Sequence, residues 1–361
     1  MSNSNYRTLH IFNDPKFSKG YFKFLRDNDF DLRRHRLFHY RTHHSHYPDY
    51  GIPTTHAAHF ASIAPNLSLL WQLIKADKII VHCLAAPALL LYLFLFPTLA
   101  KKCYWVIWGK DLYFYSTLIK KRFYHKLYEF FRKRVIPNIR NIVSDNQGDI
   151  KLLQEWYGVT PKNFPGFTYP SNLYKEAPLT KRANNTVTIL VGNSADSSNN
   201  HLEAFALLAP SKDRDIEIFA PLSYGNKQYA VQVAQKGKQL FGQKFKALTE
   251  LLPTDEYLAL LARIDIAIFA HERQQAMGNI ITLLGMGKNV YIRNDISTWN
   301  HLHTVGVKIN ALEDFSLALH DQATKEHNRH LIKTAYSPQN LIAQWQSIFA
   351  ASPTTETHSR H

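Results

Sequence analysis

Short apolar runs rich in β-branched and aromatic residues recur along this chain in two series, with helical patterns between them. Each run has the length of a buried strand. Regular alternation of such strands with helices is typical of a parallel α/β sheet. The first series predicts strands at Thr8–Asn13, Leu37–Tyr40, Ile79–Cys83, Tyr104–Trp108 and Ile139–Ser144, and the second at Val187–Val191, Ile216–Ala220, Phe245–Leu248, Ile266–Phe269 and Asn289–Ile292.

The stretch from Asn163 to Asn185 lies between the two series and is rich in Pro, Gly and small polar residues, which is typical of a connection. A chain of 361 residues also exceeds one core of ordinary size. We therefore predict two α/β domains, at residues 1–172 and 173–336. Residues 337–361 are expected to form a helix that begins at Ser337-Pro338, followed by a disordered tail after Ala351.

The formal charge of +15 predicts an anionic partner, such as nucleic acid, phospholipid or a phosphorylated substrate. Between Lys101 and Arg134 the chain has ten Lys or Arg and two acids, a net +8, so the charge is concentrated there. The two cysteines, Cys83 and Cys103, and a polar start without a secretory pattern predict a reducing cytoplasmic environment.

Within this basic region, the segment from Lys120 to Ile136 has an apolar and a basic helical face. It is either a solvated surface helix or a helix that lies against anionic headgroups. In the second interpretation the membrane-facing residues are Arg122, Lys126, Arg132 and Lys133. The uncharged run from Cys83 to Ala100 is predicted to be a buried helix, with lipid contact and a membrane span as the alternatives.

Polar residues follow two strands of the second series, where free N–H groups and a helix dipole favour a diphosphate. The glycine spacings of dinucleotide-binding and P-loop motifs are absent. Ordinary turn formation and helix capping are the alternative explanation for each residue. The candidate ligand-binding residues are Gly192, Asn193, Ser194, Asp196, Ser198, Asn199, His201, Tyr224, Glu272, Arg273, Gln274, Gln275 and Gly278.

A Gly-Lys-Asp turn ends a strand of the first series and makes Asp111 the leading candidate for a general base, with N-capping of a helix as the alternative role. His82, at the end of the preceding strand, is the rival base. The histidines show no metal-ligand spacing, and the cluster His39, His43, His44 and His46 is interpreted as a loop. We therefore expect no metal and no cofactor.

At these motifs the chain resembles the bacterial TDP-Fuc4NAc:lipid II Fuc4NAc transferases of enterobacterial common antigen, where Fuc4NAc is 4-acetamido-4,6-dideoxygalactose. The resemblance covers roughly Tyr104 to Phe349. It is carried by Trp108-Gly-Lys-Asp-Leu-Tyr113, Ile189–Ser194 with Asp196, Ser198, Asn199 and His201, Tyr257–Leu261, Arg273–Gln275 with Gly278, and Ser337-Pro338 with Trp345.

This resemblance implies a GT-B fold, with two Rossmann-like domains facing across a cleft. It also implies a nucleotide diphosphate sugar as donor, an undecaprenyl-diphosphate-linked acceptor bound by the first domain, and peripheral attachment to the cytoplasmic face of the inner membrane. Nucleic acid is not an expected partner. The alternatives are a glycosyltransferase of O-antigen or capsule assembly that uses another nucleotide sugar, a GT-B-like sugar nucleotide epimerase, and a basic nucleic-acid-binding protein.

Overall fold

Two parallel sheets organise the chain in a computed structural model that describes residues 7–41, 49–59, 66–117, 123–167, 169–176 and 185–351. The chain divides into two compact units, one formed by residues 1–171 with 338–361 and the other by residues 172–337. Each unit carries its own sheet and its own buried core.

The sheet of the first unit has seven strands among the described residues, and all their pairings are parallel. The strand order is 3-2-1-4-5-6-7. The strands are β1 (Thr8–Phe12), β2 (His35–Arg41), β3 (Thr54–His59), β4 (Lys78–His82), β5 (Cys103–Val106), β6 (Asn141–Val143) and β7 (Lys162–Phe164). The helices are α1 (Pro15–Asp27), α2 (Leu67–Lys75), α3 (Pro87–Leu95), α4 (Pro97–Ala100), α5 (Phe114–Thr117), α6 (Phe123–Val135) and α7 (Gln147–Tyr157).

The second unit repeats this arrangement with six parallel strands in the described chain, ordered 10-9-8-11-12-13. Its strands are β8 (Val187–Val191), β9 (Ile216–Pro221), β10 (Phe245–Leu248), β11 (Ile266–Phe269), β12 (Asn289–Ile292) and β13 (Asn310–Ala311). Its helices are α8 (His201–Leu208), α9 (Lys227–Phe241), α10 (Thr254–Arg263), α11 (Met277–Gly285), α12 (Ser297–Val305) and α13 (Gln322–Ala335).

Strand order reverses between β1 and β4 in the first sheet and between β8 and β11 in the second. In open parallel sheets, ligands bind outside the carboxyl ends of the strands at such a switch point. The two sheets confirm the α/β class and the ten predicted strands. Strands β3, β7 and β13 are additional edge strands that were not predicted. His39 lies in β2 rather than in the predicted loop, and the other three histidines of its cluster lie outside the described residues.

The last helix, α14 (Pro338–Ala350), begins where the Ser-Pro pair predicted and belongs to the first unit. Its Trp345 is fully buried and packs against Tyr21, with ring centroids 4.8 Å apart. Lys78 at the start of β4 donates to the carbonyl oxygens of Ile348 and Phe349 near the end of this helix. The predicted disordered tail, residues 352–361, lies outside the described residues.

The apolar run after β4 forms α3 and α4, which are separated by Phe96 and Pro97. The side chains of Leu89, Leu90 and Leu93 are buried, as predicted for a helix of the first domain. Among the described residues, none of the helices combines the length and the apolar character that crossing a membrane requires.

The face of helix α6 that points outward differs from the predicted one. Arg132, predicted to face the membrane, is fully buried and donates to the carbonyl oxygens of Leu84 and Asp111 at 2.7 Å each. It also pairs with buried Glu129 at 3.2 Å. A guanidinium held in this way cannot meet lipid, so this prediction for Arg132 is wrong. The outward face consists instead of Lys126, Leu127, Phe130, Lys133 and Arg134, and Arg122 lies outside the described residues.

Candidate active site

The two loops at the switch point of the second sheet contact each other. Residues 192–200 follow β8, and residues 270–276 follow β11. The hydroxyl of Ser198 donates to Gln275 Oε1 at 2.7 Å, and Gln275 Nε2 donates to Asn193 Oδ1 at 3.2 Å. The residues that the sequence singled out after these two strands are therefore brought together. We call residues 192–200 the first switch loop and residues 270–276 the second switch loop.

Asn199 organises the first switch loop from inside. Its Oδ1 accepts from the Asn193 N–H at 2.8 Å and lies 2.9 Å from His271 Nε2, while its Nδ2 donates to Ser194 Oγ at 3.1 Å. Because a carbonyl oxygen only accepts, His271 donates through Nε2 and is the neutral Nε2–H tautomer. Burial lowers the pKa of His271 to about 3, with Arg273 as a further cause.

Most N–H groups of the first switch loop already have acceptors. That of Gly192 donates to the Ile268 carbonyl oxygen, that of Ala195 to the Tyr224 carbonyl oxygen, and that of Ser198 to the Asp196 carboxylate. These bonds fix the loop, but they leave few donors for a phosphate. The expectation that this loop would cradle a diphosphate with free N–H groups is therefore corrected, since the amides hold the loop itself in shape.

His201 supports the first switch loop from below. It is fully buried, and its Nδ1 lies 3.2 Å from the Tyr229 hydroxyl. Burial lowers its pKa to about 4, so the ring is neutral at neutral pH. A side chain at Gly192 would approach His201 Nε2 to 2.6 Å and Asn199 Oδ1 to 2.9 Å. The loop thus passes directly over this histidine because position 192 has no side chain.

The second switch loop ends at the start of α11, where residues 276–279 are partly exposed. Ala276 precedes the helix in a left-handed conformation, with φ of 59°, and its side chain makes no capping bond. The first N–H groups of a helix have no acceptor within the helix and carry the positive end of its dipole. Arg273 is half-buried beside this start and donates to the Gln274 carbonyl oxygen at 3.3 Å.

Two tyrosines stand beside this helix start. Tyr224 is 51% exposed, and its hydroxyl accepts from Asn193 Nδ2 at 3.0 Å. The Tyr257 hydroxyl accepts from Asn279 Nδ2 at 2.9 Å. Tyr224 was among the predicted site residues, whereas Tyr257 and Asn279 were not. The signal for Asn279 was present in the sequence, because it lies in the first turn of a helix that follows a strand.

The predicted second-unit residues therefore fall into two groups. One group is buried and shapes the first switch loop, and the other lies at least partly accessible around the α11 start or on the loop surface. The buried group consists of Gly192, Ser194, Asn199 and His201. The accessible group consists of Asn193, Asp196, Ser198, Tyr224, Glu272, Arg273, Gln274, Gln275 and Gly278.

A cavity of about 270 Å³ lies in the same unit between α8 and the segments that follow β12 and β13. Arg293, which directly follows β12, lines it and forms ion pairs with Glu203 at 2.9 Å and with Asp295 at 2.8 Å. Sequence reasoning missed Arg293 although it has the same signal, a charged residue after a buried strand. Its position between two carboxylates indicates a residue that holds α8 and the β12 end together.

Asp111 has a structural environment in the first unit. Its carboxylate is buried and accepts four hydrogen bonds, from the backbone N–H groups of Leu84, Trp108 and Leu112 and from Trp105 Nε1, at 2.7 to 3.1 Å. No oxygen is left to take a proton from an acceptor hydroxyl. The geometry corrects the general-base assignment. It does not support the N-capping alternative either, because the donors lie in the segment after β4, in β5 and in the turn around Asp111 rather than in the first turn of a helix.

His82, the rival base, is also buried and has both ring nitrogens engaged. Its Nδ1 lies 2.6 Å from the Tyr169 hydroxyl and its Nε2 lies 3.3 Å from His10 Nδ1. Burial lowers the pKa of His82 well below its ordinary value. His82 is therefore a neutral member of an internal network. Among the residues that the structure describes, no cluster of three or more His, Cys, Asp or Glu side chains is arranged to hold a metal ion.

Solved structures share this architecture over nearly the whole chain. A glycosyltransferase from Rickettsia africae matches with a TM-score of 0.65 and 14% identity, covering 96% of this chain and 98% of that one. HepE from Anabaena, solved with UDP and glucose, matches with a TM-score of 0.64 and 11% identity, covering 95% and 99%. Sucrose-phosphate synthase from Thermosynechococcus elongatus matches with a TM-score of 0.62 and 11% identity, covering 96% and 100%.

The fold is thus that of the GT-B glycosyltransferases, with two Rossmann-like α/β units, as the sequence resemblance implied. The family of 4-alpha-L-fucosyltransferases, glycosyl transferase group 56, matches residues 50–354. The chain belongs to this family and is a glycosyltransferase.

Proposed function

We propose that this glycosyltransferase moves Fuc4NAc from a thymidine diphosphate donor to a saccharide linked to undecaprenyl diphosphate. The observation that carries the donor half is the open start of α11 beside Arg273, at the switch point of the second sheet. The HepE structure that shares this fold contains UDP and glucose, which supports a nucleotide sugar as the donor. Fucose and Fuc4NAc are both 6-deoxygalactose sugars, so a fucosyltransferase family agrees with this donor sugar.

The diphosphate would lie against the first turn of α11. The first N–H groups of α11 carry the positive end of the helix dipole and can donate to phosphate oxygens. The Arg273 guanidinium can bind a phosphate through two parallel hydrogen bonds. Arg273 and this helix start would stabilise the negative charge that develops on the leaving diphosphate as the glycosidic bond breaks. Exposed Tyr224 offers a ring on which the base or sugar of the donor can stack.

The acceptor half rests on the resemblance to the transferases of enterobacterial common antigen at the motifs given above. That resemblance includes Trp108 to Tyr113 of the first unit, where the turn at Asp111 is rigidly held. A related enzyme of surface polysaccharide assembly that uses another nucleotide sugar could contain the same motif. The transfer assay must therefore include more than one donor.

Donor binding tests the first half directly. We expect thymidine diphosphate to raise the unfolding temperature of the wild type more than uridine or guanosine diphosphate does. Arg273→Ala should weaken the affinity roughly 10- to 100-fold, because one charge-assisted pair to phosphate is lost. Arg263→Ala, which removes an exposed arginine of the same unit, is the matched control. Stabilisation by none of these nucleotides would contradict the donor site.

Turnover tests the complete reaction. Incubation of the protein with TDP-Fuc4NAc and lipid-linked saccharides extracted from bacterial inner membranes should add the mass of one Fuc4NAc residue to a saccharide. UDP- and GDP-sugars are the comparison donors. Transfer from one of these donors, with none from TDP-Fuc4NAc, would replace the proposed sugar while keeping the enzyme class.

We also propose that the protein binds peripherally to the cytoplasmic face of the bacterial inner membrane through the outward face of α6. Leu127 and Phe130 are 50% and 44% exposed there, between Lys126, Lys133 and Arg134. The neighbouring end of α3 adds exposed Leu95 and Phe96. Apolar side chains surrounded by lysine and arginine suit an anionic bilayer, at about 1 kcal/mol for each basic residue near the surface.

Vesicle sedimentation tests the membrane proposal. The wild type should bind vesicles that contain phosphatidylglycerol and should not bind pure phosphatidylcholine vesicles. Lys126→Gln with Lys133→Gln should lower this binding, and Phe130→Ser should lower it further. Lys236→Gln with Lys238→Gln removes two exposed lysines of α9 and is the control of equal charge. Equal binding by both double variants would contradict a role for α6.

A further inference from the structure

Three aromatic rings meet beyond the carboxyl ends of the central strands of the first sheet. Phe17 lies in α1, which follows β1, and Trp108 follows β5. The ring centroid of Trp108 lies 4.7 Å from that of Phe17 and 5.4 Å from that of Tyr169. Phe17 and Trp108 are half-buried, whereas Tyr169 is buried. Part of an aromatic surface is therefore open at the edge of the sheet where its order reverses.

A buried chain of hydrogen bonds fixes the orientation of the Trp108 ring. Trp108 Nε1, which can only donate, donates to the Tyr169 hydroxyl at 2.7 Å. The Tyr169 hydroxyl lies 2.6 Å from His82 Nδ1, and we assign its proton to this bond because its oxygen already accepts from Trp108. The Tyr169 hydroxyl thus holds the Trp108 indole and is itself hydrogen-bonded to His82.

The chain continues through two more histidines and defines their tautomers. His82 accepts at Nδ1, so its proton is on Nε2, which faces His10 Nδ1 at 3.3 Å. His10 in turn carries its proton on Nε2 and donates to His35 Nδ1 at 2.9 Å. Burial lowers the pKa of His10 and of His82 well below the ordinary value, so both rings stay neutral. This assignment gives one consistent direction to every bond from Trp108 to His35.

The backbone beside this group is also held in an unusual conformation. Cys83, directly after β4, has φ of 76°, in the left-handed region that residues other than glycine avoid. In the second sheet, Ala276 also has a positive φ, of 59°, seven residues after the end of β11 and directly before α11. Such conformations cost free energy and occur preferentially where a ligand binds. The first sheet thus has the backbone feature that accompanies the donor loop in the second.

We propose that Trp108, flanked by Phe17, is the platform on which a pyranose ring of the acceptor stacks, and that Tyr169 is the positioning residue that fixes the indole. The carbon–hydrogen face of a pyranose is apolar and flat, and it packs against an aromatic ring while its hydroxyl groups stay free for hydrogen bonds. A ring held in one orientation loses little conformational entropy when it binds. The inference rests on the proposed function, which makes the acceptor a saccharide.

Saturation-transfer NMR with soluble sugars tests this site. The probes are glucose, galactose, mannose, their 2-acetamido forms and the methyl glycosides, each with thymidine diphosphate present. At least one sugar should receive saturation from the wild type, and Trp108→Ala should weaken its binding roughly tenfold or more. Trp71→Ala is the matched control, because Trp71 is an exposed tryptophan of the same unit, on α2. This control should bind sugar as the wild type does.

Tyr169→Phe separates positioning from folding. This variant keeps the ring and removes only the hydroxyl that Trp108 donates to. We expect a roughly three- to fivefold loss of sugar affinity, from the ring mobility that one lost hydrogen bond allows. The indole N–H resonance of Trp108 should shift, and His82 should no longer be confined to its Nε2–H tautomer. A purely structural role would lower stability without moving the sugar affinity of the folded protein.

Nucleotide binding separates failure of the Trp108 platform from failure of the proposed transferase function. Nucleoside diphosphate binding is measured on every variant and should stay as in the wild type, because the donor site lies in the second unit. Absence of a sugar signal from the wild type, or an equal signal from Trp108→Ala, would overturn the platform while leaving the donor site intact. If the wild type binds none of the nucleoside diphosphates, the proposed transferase function itself is contradicted.

Discussion

Gly192 and Gly158 both have φ of 67°, so each occupies the left-handed region. They differ in their surroundings. An added Cβ at Gly158 meets nothing within 4 Å, whereas one at Gly192 meets His201 Nε2 at 2.6 Å. The same backbone conformation therefore ends α7 at one position and brings the first switch loop against a buried histidine at the other.

These two glycines give a matched pair of variants. Gly158→Ala should lower the free energy of unfolding by about 1–2 kcal/mol, the cost of a left-handed residue with a side chain. Gly192→Ala should lower it by roughly a further 1–3 kcal/mol because the new methyl group overpacks the loop. It should also weaken nucleoside diphosphate binding, and Gly158→Ala should not. Urea unfolding and calorimetry measure both effects, and equal losses of stability would contradict the close approach at Gly192.

The four hydrogen bonds to the Asp111 carboxylate predict a structural role for this residue. Asp111→Asn replaces one acceptor oxygen with an amide that faces N–H donors, so it should cost roughly 2–4 kcal/mol of unfolding free energy. Turnover per folded molecule should stay within about tenfold of the wild type, whereas loss of a general base would lower it 10²- to 10⁴-fold. Asp77→Asn, at an exposed carboxylate, is the control. A large loss of turnover without a loss of stability would restore the catalytic role.

The two faces of helix α6 differ in character. Its inner face buries Arg132 among the rings of Trp105, Phe114, Tyr128 and Tyr157, each 5.8 or 5.9 Å from the guanidinium carbon. Its outer face exposes lysine and arginine beside apolar side chains. Burial raises the pKa of Glu129, and the nearby Arg132 opposes that rise. The helix is thus fixed by a buried ion pair and remains basic outside.

Breaking this pair should be costly. Arg132→Met leaves Glu129 buried without its partner and should lower the unfolding free energy by about 3–5 kcal/mol. Adding Glu129→Gln should recover part of that loss, because no buried charge then lacks a counter-charge. Lys133→Met, one residue further along, should change stability by about 0.5 kcal/mol or less. If Arg132→Met with Glu129→Gln is as unstable as Arg132→Met alone, the contacts of the Arg132 guanidinium with the aromatic rings, rather than its ion pair with Glu129, account for the lost stability.

Both units of the protein bury neutral histidines. His35 lies in the first, and burial lowers its pKa to about 4; His201 and His271 lie in the second, with pKa values of about 4 and about 3. In the unfolded chain these rings titrate near 6.5. As the pH falls below that value, the unfolded state takes up protons that the folded state does not. Both units should therefore lose stability in mild acid.

The fall should occur between about pH 6.5 and pH 4 and level off below the folded-state pKa. A fully buried histidine such as His201 contributes on the order of 3 kcal/mol across this window. Urea unfolding at pH 7.5, 6.0 and 5.0 measures the slope. His271→Gln should make the slope shallower, and His303→Gln, at an exposed histidine of α12, should not. A stability independent of pH across this range would contradict the neutral buried rings.

Predictions from the sequence succeeded where they depended on local patterns. Alternation of apolar runs gave the central strands, because residues buried on both faces of a parallel sheet are nearly continuously apolar. The edge strands β3, β7 and β13 were missed. β3 (Thr-Thr-His-Ala-Ala-His) lacks such a run, and β7 and β13 have only three and two residues. The helix that begins at Pro338 was found from its capping signal, but its return to the first unit was not.

The class of fold, the two series of strands and the polar residues that follow β8 and β11 could be predicted from the sequence, because each depends on neighbours in the chain. Which of those polar residues are buried and which are accessible depends on contacts between distant segments of the folded chain. Asn199, Asp111 and Arg132 have polar side chains suited to function, yet each is surrounded by partners from distant segments. A buried polar group must satisfy its hydrogen bonds within the protein, and those partners are known only once the chain has folded.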